Sequence, residues 1–422
     1  MNSSLRVLMM SDVSPVEITG GAERVLWEQA SRLAALGHQV RVLSRSPAEN
    51  ATETVERQGV RISHFPVDRR SFLRFFLDSI RQARRAATRA LTEEGADVLH
   101  LHQPLSAFGV LSSGLGRRMP SLYTFHSPAP LEYRSRRGTT THHPGGLAGY
   151  LGMALLWFIE GLCLKRATRI HVLSDFSATL LRKLYRISPS RIVKIPGGVD
   201  AKRFYPAESR ETVRKTLDIP IQRFILLTVR NLEPRMGLDN LVRAMAILRQ
   251  QAADVLLLVG GDGSLRSELE ELRDSMGLGT HIRFAGFIPD NELPLYYQAS
   301  DAFVLPTREL EGFGLVAVEA LACGTPVLGT PVGAIPEVLA ALQPNLLLDG
   351  ATPESIARGI MKHHKKIQAD PRGYEALRRR CRDYATARFG WSQVIKKLEQ
   401  ELITLAAGRE VSASKTQGDS SQ

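Results

Sequence analysis

The sequence predicts an α/β protein with two domains, each built around a parallel β-sheet. Short apolar runs alternate with amphipathic segments along most of the 422 residues. Such alternation is typical of βαβ units, whose parallel sheets are covered by helices on both faces. The pattern occurs twice, on either side of a stretch at 196–206 that is rich in Gly and Pro and predicts a linker. Because ligands of open α/β sheets bind beyond the carboxyl ends of the strands, two such domains predict a cleft that holds two substrates.

The first half, which we assign to a domain at 1–200, begins with a short buried strand and an amphipathic helix that ends at a glycine. Further β-type runs follow, separated by helical patterns. The predicted strands are 6–10, 39–44, 61–65, 98–102, 121–125 and 169–173, and the predicted helices are 20–36, 71–92, 104–118, 147–166 and 175–185.

The second half repeats the alternation and predicts a domain at 207–390. Its predicted strands are 224–229, 254–260, 281–286, 302–305, 326–329 and 346–348, and its clearest helices are 237–250 and 264–276. An amphipathic helix at 391–405 follows. The last residues, 406–422, are polar and rich in Ser, so we expect a disordered tail there.

The charge is unevenly distributed. The net charge is +12, but residues 1–200 carry 27 basic and 16 acidic side chains and therefore account for +11. Such an excess indicates an anionic partner for the first half: nucleic acid, a membrane surface or a phosphorylated substrate. No standard nucleic-acid motif occurs, so we do not expect a nucleic acid. Residues 68–89 contain seven arginines among apolar residues. They predict either a helix that lies on an anionic bilayer or an ordinary sheet-covering helix with an Arg-rich outer face.

Cysteine content and apolar segments bear on the compartment. The three widely spaced cysteines, Cys163, Cys323 and Cys381, form neither a disulfide framework nor a zinc signature, which favours a reducing cytoplasm. The start of the chain lacks the features of a signal peptide. The longest apolar run, at 147–164, contains Glu160 and is better interpreted as a packed or membrane-surface helix than as a span. We expect a cytoplasmic protein, with two alternatives: a freely diffusing protein or one that is peripheral at the inner face of the plasma membrane.

The most informative segment is 311–320, with the sequence EGFGLVAVEA. It follows a predicted buried strand and opens a helix. Its glycines allow backbone N–H groups to approach a ligand closely, and a helix start can hold a phosphate. Glu311 and Glu319 are separated by about two helical turns, so they can reach different groups of one ligand. The alternative is a glycine-rich loop with solvated glutamates.

This segment resembles the E-x7-E motif of retaining glycosyltransferases of the GT-B fold, in particular glycosyltransferase family 4. Other segments that resemble the same family occur in the expected order over about residues 5–405. They are Gly20–Gly21–Ala22–Glu23–Arg24, Thr124–Phe125–His126, Ser174–Asp175–Phe176–Ser177, Ile195–Pro196–Gly197–Gly198–Val199–Asp200, Val259–Gly260–Gly261–Asp262–Gly263 and Gly324–Thr325–Pro326–Val327. The resemblance implies two Rossmann-like domains that face a cleft, with the helix at 391–405 crossing back to the first domain.

The resemblance also implies roles for residues of the second domain. Glu311 is expected to contact hydroxyls of the donor sugar, and Glu319 to bind the ribose of the nucleotide. The backbone of Phe313, Gly314 and Leu315 is expected to lie against the sugar and the pyrophosphate.

Further roles fall on both halves of the chain. Gly20 and Gly21 are expected to form a loop that lets the diphosphate approach, and Gly261 a strand-to-helix turn that faces the cleft. His126 resembles the family histidine near the reacting sugar. The alternative for His126 is an ordinary hydrogen-bonded histidine at a strand end.

The phosphate clamp departs from the family pattern of an Arg followed six positions later by a Lys. Arg230 matches the first position, but Met236 occupies the second. Fixed cations stabilise the charge that develops on a leaving diphosphate. Because an arginine can bind a phosphate through two nitrogens, we predict that Arg235 replaces the missing lysine.

Several signatures of other chemistries do not occur. The chain has no Asp-x-Asp, no P-loop and no G-x-S-x-G sequence. Two adjacent histidine pairs, His142–His143 and His363–His364, do not fit a zinc pattern and are interpreted as solvated. We therefore expect no metal site and no cofactor other than the nucleoside-diphosphate sugar that serves as co-substrate.

The resemblance implies a retaining glycosyltransferase of the hexosyltransferase type, and the lack of an Asp-x-Asp motif predicts that it is metal-independent. The expected acceptor is a lipid-linked or polysaccharide intermediate of cell-envelope or exopolysaccharide synthesis, presented by the basic first domain. Two alternatives stay open: a nucleotide-sugar epimerase on the same fold, and a non-catalytic nucleotide-sugar-binding homologue, which the methionine at position 236 suggests.

Overall fold

The computed structural model describes residues 4–18, 20–47, 54–137 and 147–418. The chain forms two compact units, and the longest continuous part of the second unit begins at Pro196, directly after Ile195. The first unit also includes the C-terminal residues from Val394 onward. Pro196–Gln393 make up most of the second unit, so the stretch predicted as a linker at 196–206 belongs to that unit.

The first unit is built around a sheet of eight strands. In chain order its elements are β1 (Arg6–Ser11), α1 (Gly21–Ala35), β2 (Gln39–Arg45), β3 (Thr54–Arg57), β4 (Val60–Phe65), α2 (Phe72–Glu93), β5 (Val98–His102), α3 (Pro104–Leu111), β6 (Ser121–Phe125), α4 (Ala129–Arg137), α5 (Leu147–Arg166), β7 (Arg169–Val172), α6 (Asp175–Tyr185) and β8 (Ile192–Lys194). The strand order is β3-β4-β2-β1-β5-β6-β7-β8. All pairs are parallel except β3 with β4, which is an antiparallel edge pair.

The central strands of this sheet are apolar because helices cover both faces. Every residue of β5 and β6 is buried. The buried side of α2 carries Phe76, Ala83 and Ala87, which join the core between the sheet and helices α3 and α5. Ser71 caps α2 by accepting a hydrogen bond from the Arg74 backbone N–H, which fixes where the helix begins. The predicted helix at 104–118 is shorter in the structure, since α3 ends at Leu111.

The second unit contains a parallel sheet of five strands. Its elements in chain order are α7 (Arg210–Thr216), β9 (Phe224–Val229), α8 (Leu238–Arg249), β10 (Val255–Gly260), α9 (Arg266–Ser275), β11 (Ile282–Gly286), α10 (Leu293–Ala299), β12 (Ala302–Leu305), α11 (Leu315–Ala322), β13 (Val327–Gly329), α12 (Ile335–Leu339), α13 (Pro353–Ala369) and α14 (Pro371–Phe389). The strand order is β11-β10-β9-β12-β13, and all pairs are parallel. The carboxyl ends of β9, β10 and β12 therefore lie at one edge of the sheet.

The last helix, α15 (Trp391–Gly418), begins in the second unit and continues in the first. Within the first unit, the Glu399 carboxylate lies 3.1 Å from Nε2 of His38, and Leu398 and Leu402 are fully buried. The prediction of a helix that ends at 405 and a disordered tail was wrong for 406–418, which are helical. Residues 419–422 lie outside the described ranges.

The interpretation of the histidine pair in the second unit was also wrong. His363 and His364 are buried on α13, and Nε2 of His364 lies 3.0 Å from the Asp254 carboxylate. Burial lowers the pKa of His363 to about 4, so this side chain is neutral near pH 7. The other pair, His142–His143, lies outside the described residues. The predicted strand at 346–348 is reduced to one bridge between Leu347 and Gly329.

Candidate active site

A buried ion pair lies at the carboxyl edge of the second sheet. Arg230 directly follows β9, and one guanidinium nitrogen donates to the Glu311 carboxylate at 2.6 Å. Thr307, which follows the neighbouring strand β12, donates its hydroxyl to the same oxygen at 3.1 Å. Arg230 and Glu311 retain less than a tenth of their exposure. A buried charge needs such partners, because desolvation otherwise costs several kcal/mol per ion, on the order of the net stability of a domain.

The guanidinium of Arg230 is not fully satisfied. The nitrogen that binds Glu311 also contacts the sulfur of Met236. Among the described residues, Nε of Arg230 is buried and has no hydrogen-bond partner. A buried donor of this kind normally binds a ligand or an ordered water. The position of the family lysine is therefore filled by an apolar side chain that packs against the arginine, and Arg230 keeps a donor available.

Arg235 lies one residue before Met236 and is partly exposed. One of its guanidinium nitrogens donates to the backbone carbonyl of Leu310 at 3.1 Å, immediately before Glu311. Leu310 has a φ of +56°, a conformation that non-glycine residues adopt rarely. Arg235 is thus bonded to the loop that carries Glu311, and its predicted role as the second phosphate ligand stays a prediction.

A tight turn connects Glu311 to α11. Gly314 has φ +86° and ψ +58°, so it occupies the left-handed region at the N-cap of α11. Phe313 is buried and packs edge-to-face on Phe389 at 5.6 Å between ring centroids. Gly197 lies directly against this turn, since a Cβ there would be 2.7 Å from carbons of Phe313 and Leu315. The linker glycine thereby allows the close packing that holds the turn in place.

Glu319, the second carboxylate of the motif, is buried on α11. The Tyr297 hydroxyl on α10 donates to its carboxylate at 3.0 Å. Tyr297 is itself fully buried, so this bond is shielded from water and holds the carboxylate in one orientation.

Gly261 follows β10 with a φ of +113°. A Cβ at this position would lie 1.9 Å from the carbonyl oxygen of Arg230, so only glycine fits without moving the backbone. The Arg230 N–H donates to the Gly260 carbonyl, and the Gly261 N–H donates to the Gly286 carbonyl. The turn predicted at Gly261 therefore supports the backbone of the arginine.

The remaining predicted residues lie in the first unit. Gly20 is the N-cap of α1, and Gly21 is the first residue of that helix. A Cβ on Gly20 would lie 2.9 Å from the Glu23 carboxylate, whereas the backbone of Gly20 is extended and needs no glycine. Because the Glu23 carboxylate is the end of a flexible side chain, neither space nor backbone conformation requires a glycine at this position. These two glycines lie at the start of a helix, and their role beside the diphosphate stays a prediction.

His126 directly follows β6 and belongs to a group of histidines at the ends of adjacent strands. Its Nε2 lies 3.2 Å from Nδ1 of His102, the last residue of β5. His100 and His171 both contact the Thr124 hydroxyl, at 2.7 and 3.0 Å. Burial is the main cause that lowers the pKa of His126 to about 4, and the neighbouring His171 adds to it. His126 is therefore a neutral imidazole near pH 7.

The structure brings Arg230, Glu311 and Met236 into contact and places Arg235 on the adjoining loop. Two polar side chains of the second unit that hold the motif carboxylates, Thr307 and Tyr297, were not predicted, and neither was His102 in the first unit. Thr307 and His102 lie at the carboxyl ends of strands, which is a general signal for ligand sites. Nothing in the sequence pattern marks Tyr297. In the part of the chain that the structure describes, His, Cys, Asp and Glu form no group of three that could hold a metal ion.

Two parallel-sheet units, with a buried Arg–Glu pair and an E-x7-E turn at a sheet edge, define a GT-B type sugar transferase. Family models match accordingly: "Glycosyltransferase Family 4" over residues 19–203 and "Glycosyl transferases group 1" over residues 209–388. The chain belongs to glycosyltransferase family 4, and it is a glycosyltransferase. The predictions of fold class, family and enzyme class are confirmed.

One named relative spans most of the chain and another about half of it. A D-inositol 3-phosphate glycosyltransferase from Catenulispora acidiphila is 30% identical over 396 residues, which covers 90% of this chain and 89% of that protein. A GDP-mannose-dependent alpha-(1-6)-phosphatidylinositol monomannoside mannosyltransferase from Mycolicibacterium smegmatis is 30% identical over 204 residues, which covers 47% of this chain and 52% of that protein.

Solved structures show the same fold. Sucrose-phosphate synthase from Thermosynechococcus elongatus superposes with a TM-score of 0.80 at 24% identity, covering 96% of this chain and 100% of that one. Anabaena HepE in complex with UDP and glucose superposes with a TM-score of 0.75 at 19% identity, covering 94% and 100% of the two chains.

Proposed function

We propose that this enzyme transfers a hexose from a nucleoside-diphosphate sugar to an acceptor hydroxyl, with retention at the anomeric carbon and without a metal ion. The observation that carries the proposal is the buried Arg230–Glu311 pair beside the Gly314 turn. It combines a cation whose Nε has no hydrogen-bond partner with a fixed carboxylate and the start of a helix. A diphosphate and a sugar need these three kinds of partner.

The chemistry follows from where charge develops. When the bond between the anomeric carbon and the phosphate oxygen breaks, negative charge grows on the leaving diphosphate. Arg230 stabilises that charge with its unsatisfied Nε–H, and Glu311 keeps the guanidinium in place. The acceptor hydroxyl attacks the same face of the sugar and gives its proton to the departing phosphate oxygen. Arg235 supplies the second cation by moving one guanidinium nitrogen toward the phosphate.

Glu319 is proposed to bind the two ribose hydroxyls. The Tyr297 hydrogen bond holds its carboxylate, so little side-chain freedom is lost when the nucleotide binds. Uridine is the first nucleotide to test, because HepE, which shares the fold, is described in complex with UDP and glucose.

The acceptor is proposed to be a glycan or a lipid-linked intermediate of cell-envelope or exopolysaccharide synthesis. The names of the relatives define the compounds to compare first. One relative is named for D-inositol 3-phosphate and another for a phosphatidylinositol monomannoside. A phosphorylated polyol and a phosphoinositol lipid are therefore the acceptors to test beside polyprenyl-linked sugars. All of them carry phosphate, which suits the basic first half of the chain.

The test begins with thermal shift in the presence of UDP-, GDP- and ADP-sugars, since a ligand that binds only the folded protein raises Tm. The best donor is then incubated with each acceptor, and release of the nucleoside diphosphate is measured with and without EDTA. Product NMR gives the anomeric configuration. An inverted product or a loss of activity with EDTA would contradict the proposed mechanism.

Matched variants separate the site from general effects. Glu311→Gln should reduce turnover by at least about tenfold, because the arginine loses its buried counter-charge. Glu309→Gln, two residues earlier and exposed, should leave turnover unchanged. If both variants change turnover equally, the role assigned to Glu311 is contradicted.

Met236 favours one competing function, that of a non-catalytic homologue that binds nucleotide sugars. A thermal shift with donor, together with no transfer to any acceptor and an unchanged donor sugar, would support it. Conversion of the donor sugar in the absence of acceptor would instead indicate an epimerase.

A further inference from the structure

Exposed apolar side chains are concentrated on two helices of the first unit. Among the described residues, twelve large hydrophobic side chains are exposed, and seven of them lie on α2 and α5. We call these seven the apolar patch; they are Phe72, Leu73, Leu77, Tyr150, Leu151, Leu155 and Phe158. Soluble proteins rarely expose contiguous apolar surface without a binding partner.

The two helices meet at the patch. A Cβ added to Gly152 on α5 would lie 3.0 Å from the Phe72 ring of α2, so the rings and aliphatic groups are neighbours. Leu73 and Leu77 are one helical turn apart, and Leu151, Leu155 and Phe158 follow the spacing of one helix face. Leu73, Leu151 and Phe158 each keep more than 60% of their exposure. The patch is therefore a continuous outer face.

A basic groove continues from the patch along α2. A cavity of about 940 Å³ lies between the second half of α2 and residues 113–118. Its cationic side chains are Arg81, Arg84, Arg85, Arg89 and Arg118. Arg89 pairs with Glu93 at 2.7 Å. Within the described ranges the other four arginines form no ion pair. The groove thus holds four cations that the protein itself does not neutralise.

Patch and groove form one surface. Leu73, Leu77, Arg81 and Arg84 follow one another at spacings of four, four and three residues, which keeps them on the same exposed face of α2. The opposite face carries Phe76, Ala83 and Ala87 and is buried in the core. The two alternatives for the Arg-rich segment are therefore compatible: one face covers the sheet, and the other is available to a partner.

We propose that the α2–α5 surface binds the surface of a phospholipid bilayer that contains anionic lipids. Apolar side chains next to unpaired arginines match the interface of such a bilayer, where acyl chains lie beside phosphate groups. A free phosphate or a nucleic acid would use the arginines but leave the patch exposed. An apolar protein partner would use the patch but leave the four cations unpaired. None of the helices in the described ranges is both long and apolar enough to span a bilayer.

The test is flotation of the full-length protein with vesicles of phosphatidylcholine alone or mixed with an equal part of phosphatidylglycerol. We expect recovery with the mixed vesicles and little with the neutral ones. The triple variant Arg81→Gln, Arg84→Gln, Arg85→Gln should lower partitioning into mixed vesicles about 100-fold at low salt, since each basic side chain near the surface contributes about fivefold. The matched control removes three exposed cations of the second unit: Lys362→Gln, Lys365→Gln and Lys366→Gln.

The apolar part is tested separately. The double variant Leu73→Ser, Leu77→Ser should lower partitioning into the mixed vesicles at least about tenfold, because two apolar side chains are no longer transferred from water into the bilayer. Ile221→Ser with Phe287→Ser removes two exposed apolar side chains elsewhere and should change nothing. Thermal melts of every variant show whether it is folded.

Several results would overturn the proposal. Equal recovery of the wild type with both vesicle types, or no recovery with either, excludes anionic bilayer binding. If the triple lysine variant loses as much partitioning as the triple arginine variant, net charge alone accounts for the binding. Self-association that the leucine variant abolishes would identify a second copy as the occupant, and a thermal shift with inorganic phosphate but no flotation would assign the groove to a small anion. Donor binding is measured on the same variants, so failure here is distinguishable from failure of the proposed transferase activity.

Discussion

Glu160 is a buried carboxyl group whose titration can be measured. It lies on α5 and is 1% exposed, with its carboxylate accepting hydrogen bonds from the Tyr185 hydroxyl and, at 3.1 Å, from the Ala129 N–H. Burial raises the pKa of Glu160 to about 8, because the effect of desolvation is larger than the lowering of the pKa by these two hydrogen bonds. The carboxyl group is therefore largely protonated in the folded protein at pH 7, although it is ionised in the unfolded chain.

Glu160→Gln removes this titration and keeps the shape and the hydrogen bonds. Because the folded pKa is raised, the proton stabilises the folded state at low pH, and that contribution is lost as the pH rises through 8. With an unfolded pKa near 4.5, the contribution changes by about 2.5 kcal/mol between pH 6 and pH 9. We expect the wild type to lose that much stability relative to the variant over this range.

The measurement is urea unfolding of both proteins at pH 6 and pH 9, using the transition of the first unit. Comparing the two proteins cancels the titration of histidines and cysteines, which both contain. Glu56→Gln on the exposed strand β3 is the control and should show the pH dependence of the wild type. If the gap between wild type and Glu160→Gln is the same at both pH values, the assignment of a protonated buried carboxyl is refuted.

Three further variants probe the second unit. Gly197→Ala places a Cβ 2.7 Å from the Phe313 ring; unfolding free energy should fall by about 1–3 kcal/mol in urea titrations, and the donor Kd should rise. Arg235→Ala should lower the rate of diphosphate release at least about tenfold, and Arg235→Lys less so, since a cation is retained; unchanged turnover would exclude its phosphate role. Tyr297→Phe removes the hydrogen bond to Glu319, so calorimetry should give a Kd for the nucleotide that is about fivefold higher. If the nucleotide raises the Tm of this variant as much as that of the wild type, the role of Tyr297 is contradicted.

The strands were predictable wherever burial on both faces made them continuously apolar, as in β5 and β10. Edge strand β3 was not, because three of its four residues are exposed and carry no apolar period. The helix at 406–418 was missed for a related reason: its polar, Ser-rich composition has no apolar stripe from which a helix can be inferred. The burial of His363 and His364 was not predicted, because the polar residues next to them in sequence do not indicate that this face of α13 is buried.

The candidate site was predictable as a set of motifs but not as a geometry. Arg230 and Glu311 are 81 residues apart, and they meet because each follows one of two adjacent parallel strands. Their direct ion pair, and the methionine packed on it, required the structure. The Tyr297 contact to Glu319 depends on how α10 packs beside α11, which single-sequence patterns do not specify.

Gly197 and Gly198 have a consequence for protein engineering. Both lie in the stretch that looks like a free connector, yet a Cβ on Gly197 would meet Phe313, and one on Gly198 would lie 2.4 Å from the Trp391 ring. Chimaeras that exchange first units between relatives should therefore be joined before Pro196, so that both glycines stay with the unit they pack against. Because α15 passes from one unit to the other near Val394, such an exchange needs a second junction there. An insertion that lengthens this stretch would disturb the packing on the turn that carries Phe313.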